Sequence, residues 1–494
     1  MGVLSALEIS KKQYYIFKSN KLRENIGASE IIRYVTEELA VDKCQKHGGE
    51  IINSGGGQTI FYFVEDSSSR SFAEELSLEL LNDYPSLEFF ISSIDYNPEK
   101  DHIMGKIRDL HKKLAKKKAM RMQYAFITDF GVTQECDSTR LPAVFSDYDE
   151  EEGFIYLSRE SKSKIDMFGD MLKDKEQRKF ALNYADLGIS KNQKSYIAIT
   201  HIDGNRMGKR LKKLREKYEK SYTPENTKER NESYIRELRE FSEQTKEAFE
   251  QAFNKVTEIL RSKLDYLKEN DLNIKDDVLP IRKVILSGDD VCYITDARIA
   301  IECAYIFLRE LEKHEAMGEK ITACAGIAMV REKYPFFKAY ELAEELCRSA
   351  KSGIADDANE SRIDWHIVQG EYSNNLGEIR SSAYKTLDGK DLLLRPLIVS
   401  EGIDAINSYH NFKKDMSLIN TKSKIIPRNK VKSMLMEMKK GEEHLDTYIE
   451  INNLYTLFGM HRMGAKTGFV NNKCVLFDAV ETMDYFIPLI DEEE

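Results

Sequence analysis

The chain has 494 residues, 41% of them hydrophobic and 32% charged, which suffices for three or four domains with their own cores and is too much for one. A formal net charge of -10 excludes a uniformly basic nucleic-acid coat, though not local basic stripes. The 7 cysteines are scattered, several in apolar runs as at Cys292, Cys324 and Cys347, which fits reduced thiols in a cytoplasmic protein, and no apolar run is long enough to span a membrane.

In chain order, Tyr14-Tyr15-Ile16-Phe17 predicts an opening strand that ends in Lys18-Ser19-Asn20. Leu22, Ile26, Ile32, Val35 and Leu39 recur at near-helical spacing and predict a helix over 21–46. Asn53-Ser54-Gly55-Gly56-Gly57-Gln58 predicts a hairpin turn before the alternating strand Thr59–Phe63, and a helix over 69–81 and a strand over 87–94 follow. A basic helix bearing Lys112, Lys113, Lys116, Lys117, Lys118 and Arg121 reads more readily as a solvated face than as an RNA contact, and Tyr124–Ile127 reads as a strand.

A second segment repeats this plan. Tyr196–Ile202 predicts a buried strand running into Asp203-Gly204-Asn205-Arg206-Met207-Gly208-Lys209, and the charged stretch 209–245 predicts a mobile helical protrusion. A helix bearing Phe249, Phe253, Val256 and Leu260 leads to the hairpin Ser287-Gly288-Asp289-Asp290, set between Val284-Ile285-Leu286 and Val291-Cys292-Tyr293-Ile294. A helix over 297–315, a strand over 321–330, a helix over 335–350 and the strand Ile363–Val368 complete it. Residues 371–494 read as helical, with Met434 and Met438 on one packing face, Met436 turned away, and a loop around Gly459, Gly464 and Gly468.

Adjacent carboxylates at the tip of an apolar hairpin have few structural uses. Asp203, Asp289 and Asp290, with the carbonyl of Ile202, supply the oxygen ligands that hard cations such as Mg²⁺ take, provided that the two strands lie side by side. Gly204 and Gly208 let backbone approach phosphates closely. Each motif alone reads equally well as an ordinary turn, and it is their combination at the ends of strongly apolar strands that points to chemistry. Laying Ser54-Gly55 over Ser287-Gly288 puts Gly56 and Gly57 in the places of Asp289 and Asp290, so the first unit reads as a non-catalytic copy.

The motifs Ile202–Lys209, Ser287–Asp290, Ala325-Gly326-Ile327-Ala328 with Lys333 and Pro335 after it, and Ala343-Glu344 to Ala350-Lys351 resemble the large polymerase and cyclase subunit of type III CRISPR effector complexes. That subunit carries two Palm domains related to GGDEF cyclases, and Lys21-Leu22-Arg23 with Gly27-Ala28-Ser29 looks like the first of them. The resemblance implies an α/β (α+β) fold with two ferredoxin-like Palm domains in tandem and a helical C-terminal domain. Its divisions are a non-catalytic first Palm over 1–130, a connecting region over 131–190, a second Palm over 191–370 and the helical domain over 371–494.

The implied activity is a nucleotidyltransferase joining ATP into cyclic or linear oligoadenylate with release of pyrophosphate, using two Mg²⁺ or Mn²⁺ ions held by Asp203, Ile202, Asp289 and Asp290. Gly204, Asn205, Gly208, Lys209, Ser287, Gly288 and Lys351 would then meet the nucleotide, and Ser54, Gly55 and Gly56 would face a second one. Lys351 reads equally as a solvated helix-end lysine. The chain departs from the family at Ser287, where a glycine is usual, and at Asn205, where many relatives carry an aspartate. It has no His-Asp dipeptide, so DNA cleavage by an HD nuclease is not expected, and only Cys136 stands where relatives place paired Cys-x-x-Cys motifs, so no structural zinc is expected. The implied partners are guide or target RNA and other CRISPR effector subunits, with a homodimer left open and no membrane. Two other readings remain, a non-catalytic Palm scaffold in an RNA-guided complex and a stand-alone cyclic-dinucleotide synthase.

Overall fold

The computed structural model describes residues 2–121, 132–149, 153–188, 196–223, 225–355, 358–370, 375–402, 405–422, 427–455 and 468–490. The opening strand is β1 (Gly2–Ile9), and Tyr14–Phe17 belongs instead to a short helix, α1 (Lys12–Phe17). Both are apolar, but Val3, Leu4, Ala6, Leu7 and Ile9 are buried along an extended stretch sheeted on both sides, whereas Tyr15, Ile16 and Phe17 share one helical turn. The expected long helix is present as α2 (Leu22–Arg33), a π-helical segment Tyr34–Leu39 and α3 (Ala40–Lys46). The wider turn leaves the Thr36 carbonyl to accept from Thr59 Oγ1 at 2.9 Å, which ties the helix to the hairpin β2 (Glu50–Gly55) and β3 (Gln58–Phe63). After α4 (Asp66–Asp83), β4 (Phe89–Tyr96) and α5 (Ile103–Ala119), the first sheet has the order β2-β3-β1-β4. The strand expected at Tyr124–Ile127 lies outside the described residues.

A connecting region follows, with the hairpin β5 (Phe145–Asp149) and β6 (Gly153–Leu157) and the helix α6 (Arg159–Met171) packed on α2. Its buried Lys164 donates to the Tyr15 carbonyl at 2.7 Å and to Glu160 at 2.8 Å, so the ammonium is compensated.

The second sheet begins with β7 (Tyr196–Gly204), continued by α7 (Met207–Glu219), α8 (Thr227–Ser262) and α9 (Leu264–Glu269). The stretch read as a mobile protrusion is α7 and the first half of α8, and it is packed. Leu214, Tyr218, Tyr234 and Leu238 bury against Leu110 and Leu114 of α5, so the segment buttresses the unit built on the first sheet. Its charges occupy the outer faces and conceal an apolar stripe at helical spacing. Then come β8 (Ile281–Ser287), β9 (Asp290–Asp296), α10 (Ala300–Leu311), the two-residue strands β10 (Glu315–Ala316) and β11 (Glu319–Lys320), β12 (Ala323–Arg331), α11 (Phe336–Ser352) and β13 (Arg362–Ile367). With β14 (Leu397–Ile398) the order is β14-β13-β12-β7-β9-β8, and its run β8-β9-β7-β12 repeats the first sheet's β2-β3-β1-β4.

One apolar cluster joins the two sheet-based units, with Leu7, Phe17 and Ile31 of the first against Ile199, Cys292 and Tyr340 of the second. A second covers the other face of the larger sheet and runs on into α12 (Leu376–Ala383), α13 (Tyr409–Lys422), α14 (Arg428–Lys440), α15 (Glu442–Asn452) and α16 (Phe477–Thr482), where Met434 and Met438 are buried and Met436 is exposed. Burial on both faces explains why β7 and β9 read as continuous apolar runs. All seven cysteines are buried thiols, and no described helix is long and apolar enough to cross a membrane.

Gly326 of β12 has the tightest demand on size in this sheet, because a Cβ there would stand 2.1 Å from the Ala343 carbonyl oxygen and 2.3 Å from the Cys347 nitrogen of α11. Gly326→Val is therefore expected to cost at least about 1–3 kcal/mol, the usual range for overpacking, seen as a lower midpoint in chemical denaturation.

Candidate active site between the palms

Strands β7 and β9 pair directly, and their register sets Asp203 opposite Asp290. The turn before Asp290 is made by Gly288 and Asp289, with Gly288 at φ +62° where a side chain would be strained. Gly204 N donates to the Asp289 carbonyl at 3.1 Å, and a Cβ at residue 204 would come within 2.9 Å of the Asp289 Cβ. The glycine thus lets the strand end close on the hairpin, which brings the three carboxylates together. Lys351, at the end of α11, donates to Asp203 Oδ2 and, at 2.8 Å, to the Gly204 carbonyl.

Ser287, Asp289 and Asp290 wall a cavity of about 700 Å³ whose opposite side is Lys12, Gly56 and Gly57 of the first palm. Lys12 Nζ donates to the Gly56 carbonyl, so a residue of the helix misread as a strand stands at the mouth of the site. Ser54 lies elsewhere, in a separate hollow of about 590 Å³ between β2 and α8 with Arg239 and Ser242, and its hydroxyl meets Thr59 Oγ1 at 3.1 Å. Asn205 is buried, its Nδ2 donating to Thr322 Oγ1 at 3.3 Å and to the Glu360 carbonyl at 3.0 Å, which makes it a tether for the strand end. Gly208 and Lys209 are exposed on the first turn of α7.

The registers also correct the alignment of the hairpins by one residue. Gly55 pairs Gln58 as Ser287 pairs Asp290, so Gln58 occupies the place of Asp290, and Gly56-Gly57 that of Gly288-Asp289. Glu8 pairs Gln58 as Asp203 pairs Asp290, so the first palm carries Glu8 where the second carries Asp203. Three residues on, Lys11 and Arg206 both adopt the left-handed conformation, at φ 48° and 61°. Lys118, the penultimate residue of α5, pairs with Glu8 as Lys351, the penultimate residue of α11, pairs with Asp203. Of the basic run on α5, Lys113 and Lys117 donate to the β4 carbonyls of Ser93 and Ile91, at 2.6 and 2.7 Å, so much of it is used within the fold.

Behind the hairpin, His201 Nδ1 lies 3.5 Å from Asp290 Oδ1, and neither buried atom has a hydrogen-bond partner. The His201 ring meets Tyr340 edge-on at 5.5 Å, and Tyr340 stacks on Phe17 at 4.1 Å and accepts from Gln13 Nε2 at 3.0 Å. The first palm therefore braces the back of the site. Sequence gave no cue to Tyr340 or Lys12, whose roles depend on contacts between segments far apart in the chain.

Burial first, then the Asp203 charge, pushes Asp290 up to about 7, with Lys12 easing it. The same two causes push Asp289 up to about 6. Burial holds His201 down at about 4, so the ring is neutral. A carboxyl raised on folding costs stability once ionised, and the loss grows as pH rises from the unfolded value near 3.9 to the folded one near 7. Asp290→Asn is accordingly expected to stabilise the protein at pH 8 by about 1–2 kcal/mol, discounted for the exposed third of the side chain, and to change little near pH 3.5. Denaturant titrations at the two pH values check both sign and window.

Carboxylates that repel one another and an unpartnered buried Asp290 oxygen are the donor chemistry that a hard cation satisfies. As they stand, no three acidic, histidine or cysteine side chains among the described residues are arranged to hold a metal, and Asp203 is engaged by Lys351.

Residues 196–359 match the family model described as Cas10/Cmr2, second palm domain. Among solved structures, the Csm1–Csm4 cassette in complex with pppApA aligns with a TM-score of 0.53 at 12% identity, covering 98% of this chain and 69% of that one. The cassette in complex with cA4 aligns with a TM-score of 0.44 at 14% identity, covering 79% of this chain and 55% of that one. The chain thus spans little more than half the length of the cA4-bound relative. At such identities the likeness is one of fold, and no curated protein matches the sequence.

Proposed function

Given that this chain is a Cas10-like subunit with a Cas10/Cmr2 second palm at residues 196–359, we propose that it is a metal-dependent nucleotidyltransferase that makes cyclic or linear oligoadenylate from ATP in CRISPR-type signalling. The observation that carries the reading is that Asp290, paired across the strands with Asp203, stands with Asp289 on the wall of a cavity that the first palm's hairpin closes from the other side. Asp203, Asp289 and Asp290, with the Ile202 carbonyl, would hold Mg²⁺ or Mn²⁺. Bound there, such ions would activate an attacking hydroxyl and stabilise the leaving oxygen.

The chain's own residues do the rest. The cavity holds two nucleotides in line, so that the 3′-oxygen of one reaches the α-phosphate of the other, the bond to pyrophosphate breaks and the hydroxyl proton passes to solvent. Gly288 admits phosphate close to backbone, Lys351 meets its charge, and Gly56-Gly57 with Lys12 face the second nucleotide. His201, neutral and wedged by Tyr340, keeps Asp290 aimed at the cavity. The partners proposed are ATP and, as in the Csm1–Csm4 assemblies, further effector subunits, with RNA as the activating class of ligand.

Incubation of the purified protein with each NTP and Mg²⁺ or Mn²⁺, with product masses read by mass spectrometry, tests the proposal. Oligoadenylate from ATP supports it. Absence of any oligonucleotide, with and without added RNA, would leave the scaffold reading in its place.

A further inference from the structure

The same contact occurs twice in this molecule. Lys351 on α11 holds Asp203 at the end of β7, and Lys118 on α5 holds Glu8 at the end of β1, in equivalent registers of equivalent sheets. Only the second palm places further carboxylates, Asp289 and Asp290, beside the pair, because Gln58 stands in the first where Asp290 stands in the second. The lysine–carboxylate contact therefore occurs also where Gln58 stands in the place of Asp290. It is a resting arrangement of the fold and not a residue of metal binding.

From this repeated geometry we infer that Lys351 is a displaceable counter-ion, which occupies Asp203 in the free protein, keeps divalent cations off it, and is drawn away by the triphosphate of an arriving nucleotide. The inference rests on the proposed nucleotidyltransferase reading of the site. Lysine suits the task, being a compact point charge on a flexible stem with three donors, of which the structure uses two. The Lys351 side chain is 27% exposed and that of Asp203 42%, so neither is locked in the core. Lys351 already occupies one oxygen of Asp203, the carboxylate that faces Asp290 across the strand pair. Its departure removes the cation that Asp203 holds, next to a triphosphate that adds negative charge, and both demand divalent ions. Nucleotide would thus enter first or with its metal, and the protein alone would not load a metal that the solvent could carry off.

Mn²⁺ titration of the full chain without nucleotide, followed by electron paramagnetic resonance, measures the competition directly. Lys351→Met is expected to bind Mn²⁺ at least about tenfold more tightly than the wild type, the scale set by removing one charge a few ångströms from the ion at an effective dielectric near 20. Lys351→Arg, which keeps the charge, should behave as the wild type, and Lys118→Met should change nothing. Adding Asp203→Asn to Lys351→Met should abolish the gain. Isothermal titration with ATP in EDTA should show several-fold weaker binding to Lys351→Met. Equal or weaker Mn²⁺ binding by a folded Lys351→Met protein, or ATP binding in EDTA that the substitution leaves alone, would overturn the inference. Product assays are separate from these readouts. A wild type that makes no oligonucleotide, with or without added RNA, while Lys351→Met gains Mn²⁺ affinity refutes the synthase reading and keeps the counter-ion.

Discussion

Replacing Asp289 and Asp290 together by alanine is expected to lower nucleotide turnover by about 10³-fold or more while the protein stays folded. Metal-borne stabilisation of the transition state is worth several kcal/mol, and each 1.4 kcal/mol is a factor of about ten in rate. The hairpin itself should survive. Its turn depends on Gly288, and the pairing of Ser287 with residue 290 is made by backbone. Removing two carboxyls that burial and the Asp203 charge push up to about 6 and about 7, and that are therefore ionised at pH 8, also relieves repulsion there. Activity and stability should therefore move in opposite directions, a combination that neither a misfolded variant nor a scaffold protein produces. Single-turnover measurement of pyrophosphate release beside a thermal melt at pH 8 separates these cases. Turnover within tenfold of the wild type would remove both aspartates from the chemistry.

How much of this site was legible in sequence follows from where the apolar residues fall. Tyr196–Ile202 and Val291–Ile294 are central strands covered on both faces, so their uninterrupted apolar character gave the strands and left Asp203 and Asp290 exposed to view at the ends. The first palm misled because four apolar residues in a row, Tyr14–Phe17, fit a buried strand and a helical turn equally well. Placing the opening strand there hid β1, and with it Glu8 as the counterpart of Asp203. The one-residue slip in the hairpins has a related origin. Matching Ser-Gly to Ser-Gly followed residue identity, whereas strand pairing is set by register, and a slip of one exchanges the two faces of a sheet. In the stretch 209–245, composition outweighed periodicity, and a helical stripe of leucines and tyrosines was lost among charges. The bracing of His201 by Tyr340 and Phe17 is tertiary and left no local signal.

The largest expected loss of stability lies outside the cavity, at Arg395. Its side chain is wholly buried, with the guanidinium 4.8 Å from the Trp365 ring centroid, 3.1 Å from Asp478 Oδ1 and 2.7 Å from Glu481 Oε2. Asp364 of β13 lies 3.9 Å from its Nε, accepts from Arg380 at 2.6 and 2.8 Å, and accepts from Ser349 of α11 at 2.9 Å. A chain of charge thus links α16, through β13, to the helix end that carries Lys351. Arg395→Met keeps most of the volume and strands two buried carboxylates, a change that costs about 3–5 kcal/mol when one partner of a buried ion pair is removed. Asp478 would keep the backbone N–H groups of Leu394 and Arg395, each at 2.9 Å, and Glu481 would keep Tyr384. Most of the penalty should therefore fall on Glu481, and adding Glu481→Gln to Arg395→Met should recover part of it. A lower denaturation midpoint with an unchanged m-value, partly restored in the double variant, is the expected result. If Arg395→Met unfolds at the wild-type midpoint, the network is not what seats the C-terminal helices against the second palm.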